Sequence, residues 1–178
     1  MATTAIMTGP EFDALPYEEG RRWELVGGEL IPVPSTTLEH QAIMQEILFA
    51  LMAYFRSRPE QGRAFTDVEF ALDADHRVRP DILILLRDRL AAIDMQKVPV
   101  PGAPDIAVEV ISPSERSFDT QQKSQAYLRH GTQEVWQVYP KSKTIVVHRA
   151  GGSTTLSTGE RLETPLLPGF ALDVNSLF

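Results

Sequence analysis

An α/β (α+β) domain built on a mixed sheet is the fold class this sequence predicts, and three observations predict it. Two short runs, Asp81–Leu86 (DILILL) and Ile106–Ile111 (IAVEVI), are apolar almost end to end, as strands buried on both faces are. Two longer segments, one beginning near Thr37 and one at Ser117, have the caps, stops and shared faces of helices. Strand patterns return from Val135 onward. The order is hairpin, helix, three strands, helix, strands, which gives a mixed sheet.

Taken in order, Pro10–Gly20 reads as a short amphipathic turn of helix. Trp23–Val26 and Glu29–Val33 form a hairpin around Gly27-Gly28, a pair suited to a turn with positive φ. Thr36 and Glu39 have capping-box spacing, so a helix is expected from Thr37 to near Arg56, with Met44, Ile47, Leu48, Leu51 and Phe55 as its apolar stripe. Ala64–Leu72 alternates and is expected as one strand, Asp73–Arg79 as a turn, and Asp81–Leu86 as the next strand. Residues 87–103 form a connection with a helical turn at Arg89–Ile93. Ser117–His130 is the second helix, with Gly131 in the stop position and Arg129 and His130 complementing the helix dipole. Strands Val135–Tyr139 and Thr144–His148 follow, then a weaker one at Ser153–Ser157 and an apolar tail expected to dock. With no repeats or linkers, residues 1–178 are read as a single domain.

The 178 residues, 43% hydrophobic and 23% charged, suffice for a real core. The absence of cysteine excludes disulfides and thiolate metal sites. No signal peptide or bilayer-spanning run is evident, so a soluble cytoplasmic protein without a membrane partner is expected. A net charge of −7 argues against a generic nucleic-acid binder, although the excess is N-terminal. Arg56, Arg58, Arg63, Arg77, Arg79, Arg87 and Arg89 read as a solvated mixed-charge face, with a phosphate-facing surface as the alternative.

Glu109 sits inside the second apolar run. A carboxylate there must find a cation or hydrogen-bond donors, or take up a proton. An arginine or backbone donor is the structural solution; a metal ion or a lysine is the functional one. Two Pro-Asp dipeptides precede it. Asp105 lies four residues away in the same strand, about 13 Å by backbone rise, too far for one ion to bridge easily. Asp81 opens the preceding strand, and antiparallel pairing would bring it beside Glu109. Two carboxylates with open water positions suit Mg²⁺ or Mn²⁺. Lys123 shares a helical face with Asp119 and Tyr127, so Tyr127 packing inward would aim Lys123 at the sheet; a surface pair with Asp119 is the alternative. His40 is in register with Met44 and Ile47 and reads first as a satisfied helix-start histidine. Glu24 reads as solvent-facing, with a place near a metal as the alternative.

These residues also resemble a known family. WELVGGEL, His40 at the start of a long helix, RPDILIL, APDIAVEVISPS, then Asp119, Lys123 and Tyr127, then GTQEVWQV and LLPGF resemble the Uma2 family of the PD-(D/E)XK nuclease superfamily, from about Trp23 to Phe178. The resemblance implies a restriction-endonuclease-like core, a central mixed sheet flanked by helices, often homodimeric. It implies metal-holding roles for Asp81 and Glu109 with Mg²⁺ or Mn²⁺, and an accessory acid role for Glu24. The superfamily's lysine, two residues after the strand glutamate, is here Ile111, so Lys123 from the following helix takes its place. His40 and Tyr127 are carried as accessory residues. The implied activity is metal-dependent endonucleolytic cleavage of nucleic acid, DNA ahead of RNA. The competing reading is an inactive nuclease-fold module that binds partners. A metallophosphoesterase is poorly supported, since the four histidines are scattered singly.

Overall fold

In the computed structural model, residues 6–16, 18–19 and 22–178 are described. The expected helical turn at 10–20 is α1 (Gly9–Asp13), while residues 17 and 20 of that expectation lie outside the described set. The first hairpin is β1 (Arg22–Val26) and β2 (Glu29–Val33), with Gly27 and Gly28 at φ 60° and 78°. Helix α2 (Leu38–Ser57) follows; its cap is Thr37, whose hydroxyl accepts from the His40 N–H at 3.1 Å, one residue later than the expected Thr36–Glu39 box. Its buried face is His40, Ile43, Ile47, Leu51, Tyr54 and Phe55, with Met44 and Leu48 partly covered.

The stretch expected as one strand, Ala64–Leu72, is two. β3 (Gly62–Thr66) and β4 (Phe70–Asp73) belong to different sheets. The break comes at Asp67, whose positive φ of 57° turns the chain where a flat strand would continue. Nor is Asp73–Arg79 simply a turn: Ala74-Asp75 is the turn, and β5 (His76–Val78) pairs back on β4. Then come β6 (Ile82–Leu86), α3 (Arg87–Ala92), β7 (Val100–Pro101) and β8 (Ile106–Val110). Helix α4 (Ser117–Arg129) ends at Gly131, whose φ of 98° suits glycine. The remainder is β9 (Glu134–Tyr139), β10 (Thr144–Arg149), β11 (Gly152–Leu156), and a docked tail with β12 (Arg161–Glu163) and β13 (Ala171–Asp173).

The large sheet runs β11-β10-β9-β8-β6-β3 and the small one β2-β1-β5-β4-β7. In the large sheet β6 and β8 pair antiparallel, and β8 and β9 parallel, so the sheet is mixed. Side-chain alternation sorts the two faces. Ile82, Ile84, Ile106, Val108 and Val110 pack with α2 and the tail residues Leu162, Leu167, Phe170 and Leu172. Leu83, Leu85 and Ala107 pack with Ala126 and Tyr127 of α4 and with Val26, Phe70 and Val78 of the small sheet. By the same alternation Asp81 and Glu109 belong to the α4 side. The register Ile82↔Val108, extended by one residue, sets Asp81 opposite Glu109.

Two buried acids are spent on holding this frame. Asp105 accepts from Leu86 N (2.8 Å), Arg89 Nε (3.1 Å) and Gln133 Nε2 (3.0 Å). Glu134, 2% exposed, accepts from Trp136 Nε1 (2.8 Å), Arg149 Nε (2.8 Å) and Thr164 Oγ1 (2.9 Å). Among the described residues no helix is long and apolar enough to cross a membrane. Asp105→Ala, which leaves Arg89 without its carboxylate, should cost about 3–5 kcal/mol in urea unfolding; a loss under about 1 kcal/mol contradicts that structural role.

Candidate active site: three carboxylates around one lysine

Each element brings one residue to the same place. Glu109 sits near the C-terminal end of β8 with its side chain 12% exposed, and Lys123, 16% exposed, reaches it from α4. The Lys123 ammonium lies 3.0 Å from Glu109 Oε1 and 3.1 Å from Oε2, so it meets both oxygens. It also lies 2.8 Å from Glu24 Oε2. Tyr127, one helical turn later, donates its hydroxyl to Glu109 Oε1 at 3.1 Å. The shared face of Lys123 and Tyr127 therefore points into the sheet, and Asp119 meets Arg116 at 3.5 Å instead of Lys123.

Glu24 corrects its expectation. It is 6% exposed, and its other oxygen accepts from Arg79 N at 2.6 Å, because β1 lies in the small sheet facing α4. Asp81 is fixed by Val110 N at 2.8 Å through Oδ2, and His40 Nε2 approaches the same oxygen at 3.2 Å. His40 is thus only half-satisfied: among the described residues its Nδ1 is the buried side-chain polar atom without a hydrogen-bond partner. Ile111, at the position of the superfamily's lysine, and Lys123 both line the cleft, and it is Lys123 that reaches Glu109.

These groups line a cleft of about 360 Å³, bordered also by Ser112, Ser114, Glu115, Arg116 and Arg79. Glu115 and Arg116 were not picked out from sequence, and Arg79 was named only among the arginines of a possible phosphate-facing surface. Glu115 and Arg116 lie in the loop directly after β8, a position that marks them once the strand is known. Three of the mid-chain arginines depart from the solvated mixed-charge reading, because each is engaged by acids and Arg77 is buried. Arg77 pairs with Asp13, Arg79 with Asp67 and Glu69, and Arg89 with Asp105.

Burial pushes the Glu109 carboxyl well above the usual range; Lys123 pulls it down, and the charges of Asp81 and Glu24 push it up again. Burial works to lower Lys123, but Glu109 and Glu24, then Asp81, outweigh it and hold the ammonium above the ordinary lysine value. Burial, then the negative charge of Glu109 and Glu24, raises Tyr127, which stays a hydroxyl donor. The hydrogen bond to Asp81 raises His40 against its own burial. The Lys123 ammonium meets two carboxylates directly, and the third, Asp81, is met by His40.

The sequence pattern of the Uma2 family, described as "Putative restriction endonuclease", matches residues 10–175. A solved structure described as "a putative nuclease belonging to DUF820", from Anabaena variabilis ATCC 29413, superposes with a TM-score of 0.83 at 24% identity, covering 97% of each chain. That likeness shows a shared fold, a mixed sheet flanked by helices. No curated relative matches the sequence.

The raised Glu109 has a pH signature in metal-free protein. Its folded pKa exceeds the unfolded value near 4.5, so its contribution to stability is full below that pH and is lost as pH rises through the folded pKa. Glu109→Gln should fold normally and flatten that decline in urea midpoints measured with EDTA. Collapse of the variant would instead mark Glu109 as half of a structural salt bridge. Lys123→Met, which strands Glu24 and Glu109, should cost about 3–5 kcal/mol.

Proposed function

This chain belongs to the Uma2 family, and from that premise we propose that it is a metal-dependent endonuclease hydrolysing phosphodiester bonds of nucleic acid, DNA ahead of RNA. The observation that carries the reading is the acid-rich lining of a solvent-reached cleft: Glu24 and Glu109 share the Lys123 ammonium, and Asp81, held by the Val110 N–H and His40, adds its charge beside them. The donor set fits a hard divalent ion. Its carboxylate oxygens suit such an ion, Asp81 sits beside Glu109 at neighbouring sheet positions, and the one nearby imidazole, His40, is turned to Asp81. Asp81 and Glu109 are the residues that would hold Mg²⁺ or Mn²⁺. Such an ion, when bound, supplies a Lewis acid for the phosphate and a water of lowered pKa.

The chain's own groups do the rest. Lys123 is held protonated by its carboxylate neighbours, so it serves as a fixed cation for the charge that develops on the phosphate and not as the base. Glu24 and Glu109 hold the ammonium in place, and Tyr127 fixes the Glu109 carboxylate. His40 and the Val110 N–H orient Asp81. Arg116, 79% exposed among the cleft residues, is placed to meet a backbone phosphate. The proposal takes residues 1–178 as one working domain, a homodimer as its assembly and the cytoplasm as its place; family resemblance supports these.

One observation favours the second reading, a binding module without catalysis. Both Glu109 oxygens are already engaged, by Lys123 and Tyr127, so the cluster partly neutralises itself. Thermal unfolding with and without MnCl₂ separates the two. At a hundredfold excess over Kd, binding adds about 2.7 kcal/mol, roughly 5–10 °C in Tm for a domain of this size. Asp81→Asn, which keeps an acceptor for Val110 N–H, should abolish the rise. Plasmid and single-stranded DNA should be cut with Mn²⁺ and left intact by Glu109→Gln. A Tm shift without cutting leaves the module; no shift removes the metal from the account.

A further inference from the structure

A second cluster lies outside the cleft. Asp73 ends β4, His76 opens β5 across the two-residue turn, and His130 caps the C-terminus of α4. Asp73 Oδ1 is 2.7 Å from His76 Nδ1, and Asp73 Oδ2 is 2.8 Å from His130 Nε2. One potential ligand atom from each residue falls within 4.8 Å of the others, and the two imidazole rings are 5.2 Å apart. Their side chains are 9% (His76), 23% (His130) and 40% (Asp73) exposed, so the cluster is anchored yet reachable.

Counting protons shows what it lacks. His130 Nδ1 is 2.7 Å from the Ala126 carbonyl oxygen, which can only accept, so Nδ1 carries the ring proton. In a neutral ring Nε2 then presents a lone pair to a carboxylate oxygen at 2.8 Å. Something positive belongs between them: a second proton on His130, or an ion. Three features favour the ion. The carbonyl on Nδ1 fixes ring and tautomer in the way outer partners of metal-bound histidines do. A second imidazole shares the same carboxylate. Asp73 Oδ1 is also held by the Asp75 N–H at 2.8 Å, so the carboxylate is oriented with Oδ2 turned to His130.

We propose that Asp73, His76 and His130 form a second cation site, for a borderline divalent ion of the zinc class (Zn²⁺, Co²⁺ or Ni²⁺). Two imidazoles and a carboxylate suit such ions, as the carboxylate-rich cleft suits Mg²⁺ or Mn²⁺. Contacts of 2.7 and 2.8 Å would open to about 3.3 Å, the edge of a tetrahedron with bonds near 2.0 Å. Arg77 is the neighbouring cation. It donates to the Asp73 and His76 backbone carbonyls while its Nε and second amino group grip Asp13, so the Asp73 carboxylate is met by the imidazoles and the Asp75 N–H. An ion here would clip the small-sheet hairpin to the end of α4, three residues past Tyr127 and seven past Lys123.

The test uses full-length, untagged protein stripped with EDTA and titrated with ZnCl₂ or CoCl₂. Unaltered protein should bind one equivalent at this site with a rise in Tm. His130→Ala should weaken that binding at least tenfold, while Asp81→Asn leaves it unchanged. Paramagnetic shifts with Co²⁺ give a readout independent of any variant's folding: of the four histidines, the His76 and His130 ring signals should move most. Absence of binding, binding that survives His130→Ala undiminished, or shifts centred on His40 would each overturn the site.

Discussion

Lys123 stands between Glu24 at 2.8 Å and Glu109 at 3.0 Å, with Asp81 adding a third negative charge, and the geometry of the cleft depends on that contact. The lysine joins three elements: Glu24 comes from the small sheet, Glu109 from the large one, and Lys123 from helix α4, whose Ala126 and Tyr127 pack against residues of both. An ammonium in such a place loses hydration and must be met by anions, and Glu24 and Glu109 both meet it. The same contact orders the site and gathers its acids at the cleft.

Comparison with the other buried acids shows why this matters. Asp105 and Glu134 are also strand-associated acids with little exposure, 4% and 2%, and each has an arginine and further donors on its oxygens. Neither shares its cation with a second acid in these contacts, and each closes a gap in the frame. Burial of a carboxylate therefore does not mark function by itself. What separates Glu109 is the company of Asp81 and Glu24 and a cavity at its side.

Much of this was legible in the sequence because it rests on periodicity. The antiparallel pairing of β6 and β8, the alternation that puts Asp81 and Glu109 on one face, and the i, i+4 spacing of Lys123 and Tyr127 are local rules applied to strong apolar patterns. What escaped depends on placement between sheets. Glu24 read as solvent-facing because nothing in the first hairpin tells that β1 lies against α4. The split at Asp67 was hidden because alternation continues through Val68 and Phe70 even as the chain turns. Asp73, His76 and His130 were invisible as a set, since the distance from the hairpin to the end of α4 is set only by the packing of the small sheet.

The metal-holding role proposed for Asp81 and Glu109 is tested most directly by diffraction from crystals soaked in Mn²⁺, with anomalous scattering used to locate the ion. The account predicts an anomalous peak bound by the carboxylates of Asp81 and Glu109, with the Lys123 ammonium drawn away from at least one Glu109 oxygen. A cleft with no peak at saturating Mn²⁺, and Lys123 still bridging Glu24 and Glu109, would contradict it.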